Sequence, residues 1–316
     1  MSLDIAYNEE VDDYIDPYRA SDLYWSGVIT NPRGFMCPGT GCSAQVTCAN
    51  LTEEKQNIKV VVHYRIYGKT HSDECEVFNK KPLNLNYETS LTTSEEKPNL
   101  DQSIVDSFIL NRPDSYYDDN KTSKQGKNTT KKINTLAAKA VARLREVGYV
   151  SNVYSVRSIV SRYISYRKDG SLKNRKINIS GKDIAYGGIF KCIWEQNFSD
   201  LPNYPVIYYG WAYVDRTKDN GGYKIRFKKD LIYNGVKANA SIFVTDRLIN
   251  SYKIKKLVST RLTKILENPK HTAFVFVYAK PILKEKNGRK YVNFNISNLD
   301  MLDINYDCPL PKEYNK

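Results

Sequence analysis

The sequence predicts an α+β protein in three main parts: a compact Cys/His-rich module, a basic helical connector and a C-terminal β-barrel. Three observations carry this expectation. Cysteines and histidines gather between Cys37 and Cys75. Apolar residues recur at three- and four-residue steps between Ile133 and Ile164. From about Tyr204, short alternating runs follow in the order strand, strand, strand, helix, strand, strand.

Residues 1–30 hold seven carboxylates and one basic residue, Arg19, a net charge of −6, with Tyr7, Tyr14, Tyr18, Tyr24 and Trp25 interspersed. They read as an acidic arm with short ordered pieces. Residues 31–120 add a further −4, so the overall charge of +13 leaves +23 on residues 121–316. An asymmetry of that size points to a polyanionic partner for the basic part.

Residues 31–78 bear the chemistry. Phe35-Met36-Cys37-Pro38-Gly39-Thr40-Gly41-Cys42 is followed by Cys48, by His63-Tyr64-Arg65 and by His71-Ser72-Asp73-Glu74-Cys75. A thiolate pair across a glycine-bearing knuckle, then an imidazole and a third thiolate, is the ligand set of a closed tetrahedral Zn²⁺ site. A closed site builds a fold and leaves no position for a reacting water. Cys48 reads as a small hydrophobe. The run from Ile58 to Tyr67 is the strongest strand of the module.

The segment from about 33 to 76 resembles the N-terminal zinc module of competence protein CoiA-like and related phage and bacterial proteins. It does so through Phe35, Cys37, Pro38, Cys42, His63, Tyr64, Arg65, His71 and Cys75. The first loop is longer than in that family, and Tyr64 stands where the family has Phe. The resemblance implies Cys37, Cys42, His71 and Cys75 as metal ligands, with His63 as an alternate or neighbouring ligand, and a phage or mobile-element setting.

Residues 79–130 are polar, without periodicity, and read as a linker or loop region. Residues 131–200 form the basic connector. A first helix carries Ile133, Leu136, Ala137, Ala140, Val141 and Leu144, and a second starts near Ser155 with Val156, Ile159, Val160, Tyr163 and Ile164 on one face. Arg157, Arg162 and Arg167 lie off that stripe as candidate phosphate contacts.

Residues 201–306 form the β-rich domain, with 307–316 as a tail. Strands are expected at 206–215, 222–229, 240–245, 272–280, 290–297 and 301–304, and a helix at 253–267 that stops before Asn268-Pro269. That order resembles the oligonucleotide-binding (OB) fold, in which a helix plugs a five-stranded barrel. Tyr209, Trp211 and Tyr213 share one strand face, and Lys224, Arg226 and Lys228 share a face of the next. Rings beside cations are what a groove for single-stranded nucleic acid needs; the alternative is that the three aromatics are core.

No apolar run reaches the length of a membrane span, and scattered cysteines with a metal site fit a reducing cytoplasm, that of the host if phage encoded. Phosphate-binding, dinucleotide, nucleophile-elbow and zinc-protease motifs are missing from the sequence. The expected function is a zinc-stabilised, non-enzymatic protein binding single-stranded DNA or RNA. The rival readings are a counter-defence protein that binds a host nuclease or defence complex, using tyrosines as anchors, and a cryptic metal-dependent nuclease.

Overall fold

The computed structural model describes residues 2–3, 5–39, 42–54, 62–66, 71–73, 75, 104–118, 152–168, 170–194, 196–219 and 221–310. The expected helix over 133–144, most of the linker and the ends of the 58–67 strand lie outside them. Helices and strands both contribute, so the α+β class holds. The chain divides into two compact units: Met1–Glu53 with Val60–Asp106 and Arg112–Ser151, and Glu54–Lys59 with Ser107–Asn111 and Asn152–Lys316.

In the first unit the leading strands are β1 (Ser2–Leu3), β2 (Ala6–Asn8) and β3 (Asp13–Ile15). Helix α1 (Pro17–Ser26) follows, then β4 (Phe35–Met36), β5 (Gln45–Ala49) and β6 (His63–Ile66). The strands form one sheet in the order β1-β6-β5-β4-β2-β3. Asp16 caps α1 by accepting the N–H groups of Tyr18 and Arg19, Pro17 sets the first turn, and Gly27 closes the helix at φ 86°. The acids of 1–30 are therefore not a free arm. Asp13 pairs with Arg19 at 3.2 Å and Asp22 with Arg112 at 2.5 Å, and the Glu10 carboxylate accepts the N–H groups of Thr30 and Asn31. Ile15, Leu23, Phe35, Val46 and Tyr64 pack with Cys37, Cys48 and Cys75 into one core.

The second unit contains β7 (Ile104–Phe108, which enters it at Ser107), β8 (Asn152–Val153), α2 (Val156–Lys168), β9 (Arg175–Ile179), β10 (Lys182–Ala185) and β11 (Phe190–Cys192). After the α2 helix, the stretch expected to continue as a helical connector is largely extended. Ser180-Gly181, at φ 52° and 83°, turns β9 into β10 as a hairpin. Val156, Ile159, Val160, Tyr163 and Ile164 are buried, as the helical spacing demanded.

Next come β12 (Val206–Arg216), β13 (Gly222–Phe227), β14 (Leu231–Tyr233), β15 (Val236–Thr245), α3 (Asp246–Ser251), α4 (Lys255–Glu267), β16 (Thr272–Ala279), β17 (Pro281–Lys286), β18 (Arg289–Phe294) and β19 (Leu302–Asn305). The main path runs β17-β18-β15-β13-β12-β16-β19, with β11 beside β12 and β14 beside β15. β15 and β18 pair in parallel, and β16 pairs with β12 in antiparallel. Its ends, β17 and β19, are not joined by a ladder among the described residues, so the expected closed five-stranded barrel is not found. Yet β16 passes directly into β17 across Lys280, so one stretch of chain pairs with β12 by its first half and with β18 by its second. Alternate residues of these strands, among them Tyr208, Val214, Ile225, Phe227, Ile242, Val275 and Phe294, join Leu262 and Ile265 of α4 in a common core.

Candidate metal centre and nucleic-acid interface

In the first unit, Cys37 leaves β4 with its N–H on the Ala44 carbonyl at 2.8 Å, and the Cys42 N–H returns to the Gly39 carbonyl at 3.2 Å. This tight turn brings two thiols together. His71 and Cys75 come from the segment after β6. The four ligand atoms of Cys37, Cys42, His71 and Cys75 lie within 4.8 Å of one another. Cys37 Sγ is 3.7 Å from Cys75 Sγ, and His71 Nδ1 is 3.3 Å from Cys42 Sγ and 3.5 Å from Cys75 Sγ. A tetrahedral ion with metal–sulfur bonds of ~2.3 Å and a metal–nitrogen bond of ~2.0 Å requires S···S edges of ~3.8 Å and S···N edges of ~3.5 Å. These three edges are close to those lengths, and the cluster can hold a metal ion.

The thiols of the cluster are electrostatically unequal. Burial pushes the Cys37 thiol up. Burial acts on Cys42 in the same direction, but the backbone N–H groups of Ala44 and Ser72, with Cys75 and His71, outweigh it and hold its thiol below the ordinary value. His63 stands outside the cluster: it lies on β6 opposite Ala49, and its Nε2 accepts the Arg65 Nε–H at 2.8 Å. Cys48 is buried in the core, away from the cluster.

In the second unit, a groove of about 1020 Å³ crosses the outer face of β13, β15 and β18. Lys224, Arg226, Lys237, Lys286, Arg289 and Lys290 line it, with Tyr233, Phe243 and Tyr291 among them and no carboxylate in the lining. Asp215 is the cross-strand partner of Lys224 but does not line the groove. Two tight hairpins flank the groove. Asn234-Gly235, at φ 50° and 75°, joins β14 to β15, and Asn287-Gly288, at φ 51° and 69°, joins β17 to β18. Positive φ at both central residues is the primed-turn geometry that follows the natural strand twist, and Asn-Gly is its preferred sequence. The Lys290 ammonium lies 4.6 Å from the Tyr233 ring centre and links the two hairpins.

Side chains on this face fall into rows set by the registers. Tyr213 is opposite Arg226, Arg226 opposite Ser241, Ser241 opposite Asn293 and Asn293 opposite Ile282. At ~4.8 Å per strand, this row of four steps is about 19 Å long. The Arg226 guanidinium is 5.0 Å from the Tyr213 ring centre and the Lys228 ammonium 5.1 Å from it; Lys228 is also 5.4 Å from Trp211. Burial beside these rings, with Lys270 nearby, holds the Lys228 ammonium below its ordinary value.

The structure thus brings together Tyr213, Lys224, Arg226 and Lys228, and sets others apart. Tyr209 is stacked on Phe276, ring centres 5.7 Å apart, and packs with Trp211 against the cluster that α2 covers. Tyr209 is therefore a packing residue and not an exposed platform. Arg162 is buried in α2, and Arg157 and Arg167 are half-buried with partners of their own. They do not form the solvent-facing phosphate stripe expected of the connector. The groove residues Lys237, Lys286, Arg289 and Lys290 escaped sequence reasoning; their only local sign was the Lys286-Asn287-Gly288 turn.

No family model, no curated protein and no solved structure matches this chain.

Proposed function

We propose that this is a non-enzymatic protein that binds single-stranded nucleic acid through the groove on β13, β15 and β18, and whose Cys37–Cys42–His71–Cys75 cluster holds Zn²⁺ as a structural ion. The observation that carries the reading is the groove lining, six cations and three aromatic rings without an acid. A phosphate backbone needs the first and unstacked bases the second.

Strand pairing supports kinship with the OB fold. A meander of β12, β13 and β15, a parallel β15–β18 pair and a β16–β17 stretch that reaches both ends follow that order, with α4 between β15 and β16. For the metal, three thiolates and one imidazole favour Zn²⁺ over oxygen-seeking cations, and four protein ligands leave no open position.

Fluorescence anisotropy of metal-loaded protein with labelled single-stranded DNA, duplex DNA and RNA, across a salt series, tests the function. Preference for single strands with a steep loss on rising salt is expected. Weak binding that ignores both strandedness and salt overturns it.

A further inference from the structure

Beside the groove, a second set of rings and cations is arranged in sequence. Trp194 follows β11, whose next residue, Ile193, donates its N–H to the Tyr209 carbonyl on β12 at 3.1 Å. Trp194 is 39% exposed although it is a large aromatic residue. The Lys229 ammonium lies 4.8 Å from its ring centre. One residue earlier, the Lys228 N–H bonds the Trp211 carbonyl at 2.8 Å, and its side chain reaches Trp211 and Tyr213. Arg226 covers Tyr213 and also lines the groove. Trp194 with Lys229, then Lys228 with Trp211 and Tyr213, and then Arg226 therefore follow one another as a ledge that reaches the groove, its two ring groups joined through the neighbouring residues Lys228 and Lys229.

Folding alone does not account for the ledge. Trp211 is half-buried against the α2-covered cluster, but Trp194 and Tyr213 stand out of the core, Tyr213 at 36% exposure. Exposed tryptophan and tyrosine beside mobile ammonium groups match a ligand that is flat, apolar on its faces and negatively charged along its edge. A strand leaving the groove past Arg226 meets these features in turn. Apart from the Tyr213 hydroxyl, the ledge side chains (indoles, ammonium groups and the Arg226 guanidinium) carry donors and ring faces, with no amide or carboxylate oxygen to accept from a ribose 2′-hydroxyl.

The geometry points to a second binding segment: the ledge of Trp194, Trp211 and Tyr213 with Lys228 and Lys229 takes the continuation of a single-stranded DNA held in the groove. This rests on the proposed function of the groove and adds a length dependence to it. A short strand fills the groove alone. A longer one stacks further bases on the ledge, with Trp194 the outermost platform. Stacking reads ring faces and not base edges, so the added segment is tolerant of sequence.

The test compares oligothymidines of about 4 and about 12 nucleotides, near the ends of the range one such domain covers, on the full metal-loaded chain. The wild-type protein should bind the longer strand at least tenfold more tightly. Trp194→Ala should weaken the longer strand by roughly tenfold, within the effect of losing one stacked base, and leave the shorter within about twofold. Trp194→Phe should restore most of the gain. Unchanged short-strand affinity also reports that the variant is folded. If Trp194→Ala keeps the full length dependence, the ledge is not a binding segment, although the groove reading survives. If the wild-type protein binds neither strand, the groove reading falls and the ledge falls with it.

Discussion

Tyr213 on β12 and Arg226 on β13 are cross-strand partners whose ring and guanidinium lie 5.0 Å apart, at the point where the aromatic ledge meets the cationic groove. A cation over a ring contributes roughly 0.5–1 kcal/mol at an exposed site, too little to explain the placement by stability alone. The pair sets a flat face beside a charge, the combination that the proposed single-stranded ligand would use.

Replacing groove cations should show in the salt dependence more than in stability. Lys224→Ala with Arg289→Ala removes two exposed charges from the lining. The slope of log affinity against log salt should become shallower by about 1.4, given ~0.7 for each of two phosphate contacts on a single strand. Thermal unfolding should move little, because exposed substitutions usually stay within about 0.5 kcal/mol. An unchanged slope would remove these two residues from the interface.

The metal cluster makes a separable prediction. Its four residues come from two segments, and Cys37 and Cys75 are part of the core of the first unit. Chelation, or Cys75→Ser, should therefore expose that core, seen as raised binding of a hydrophobic dye and earlier cleavage by protease. Cys48→Ala keeps the ligand set intact and should retain metal, measured by chromogenic release. Equal metal content in Cys75→Ser and the wild-type protein would contradict the assignment.

Acid should weaken the second unit through Glu54. Burial pulls its carboxyl upward, but hydrogen bonds from Lys264 and Tyr306 outweigh that and hold it below its ordinary 4.5. Near it, Arg261 donates to the Glu54 carbonyl and pairs with buried Asp303 at 2.6 Å. A folded-state value below the unfolded one gives stability that is complete above about pH 4.5 and is lost as the pH falls through the lowered value. Glu54→Gln should therefore unfold with a shallower pH dependence than the wild-type protein as the pH falls below the ordinary 4.5. Parallel profiles would show that Glu54 contributes no linkage.

At Gly222 the constraint is space. A Cβ there would lie 2.3 Å from the Val244 carbonyl oxygen and 2.8 Å from the Thr245 Cα, both backbone atoms of the paired strand. Neither can turn aside as a side chain could, so Gly222→Ala should cost about 2 kcal/mol or more in denaturant unfolding, as overpacking does. It should also pry β13 from β15 and weaken nucleic-acid binding through Lys224, two residues on.

Much of the second unit was legible in local pattern. Alternation located β12, β13, β15 and β16, and the apolar stripe from Leu257 to Leu266 located α4. β17 was missed because it opens on Pro281 and continues into Lys284-Glu285-Lys286, a composition that reads as a loop. The groove was illegible for a deeper reason: it depends on the parallel pairing of β15 with β18, about 50 residues apart, and no local spacing encodes such a pair. Alternation likewise put Tyr209 and Tyr213 on one face, but could not reveal that packing covers the first and leaves the second exposed. In the metal cluster the spacing offered thiols and histidines of the right kind, but it left the choice between His63 and His71 open, and the chain path decides it: His71 lies with the thiols while β6 holds His63 outside them.

The two Asn-Gly turns have a consequence for ageing. An asparagine followed by glycine has little to shield its side-chain carbonyl from the next backbone nitrogen, and cyclisation followed by hydrolysis leaves a carboxylate. At Asn234 or Asn287 that chemistry would place the first negative charge in a lining that has none. If the groove holds the proposed nucleic acid, an old preparation would repel it while still folded, and its chronological age would be readable as a loss of affinity.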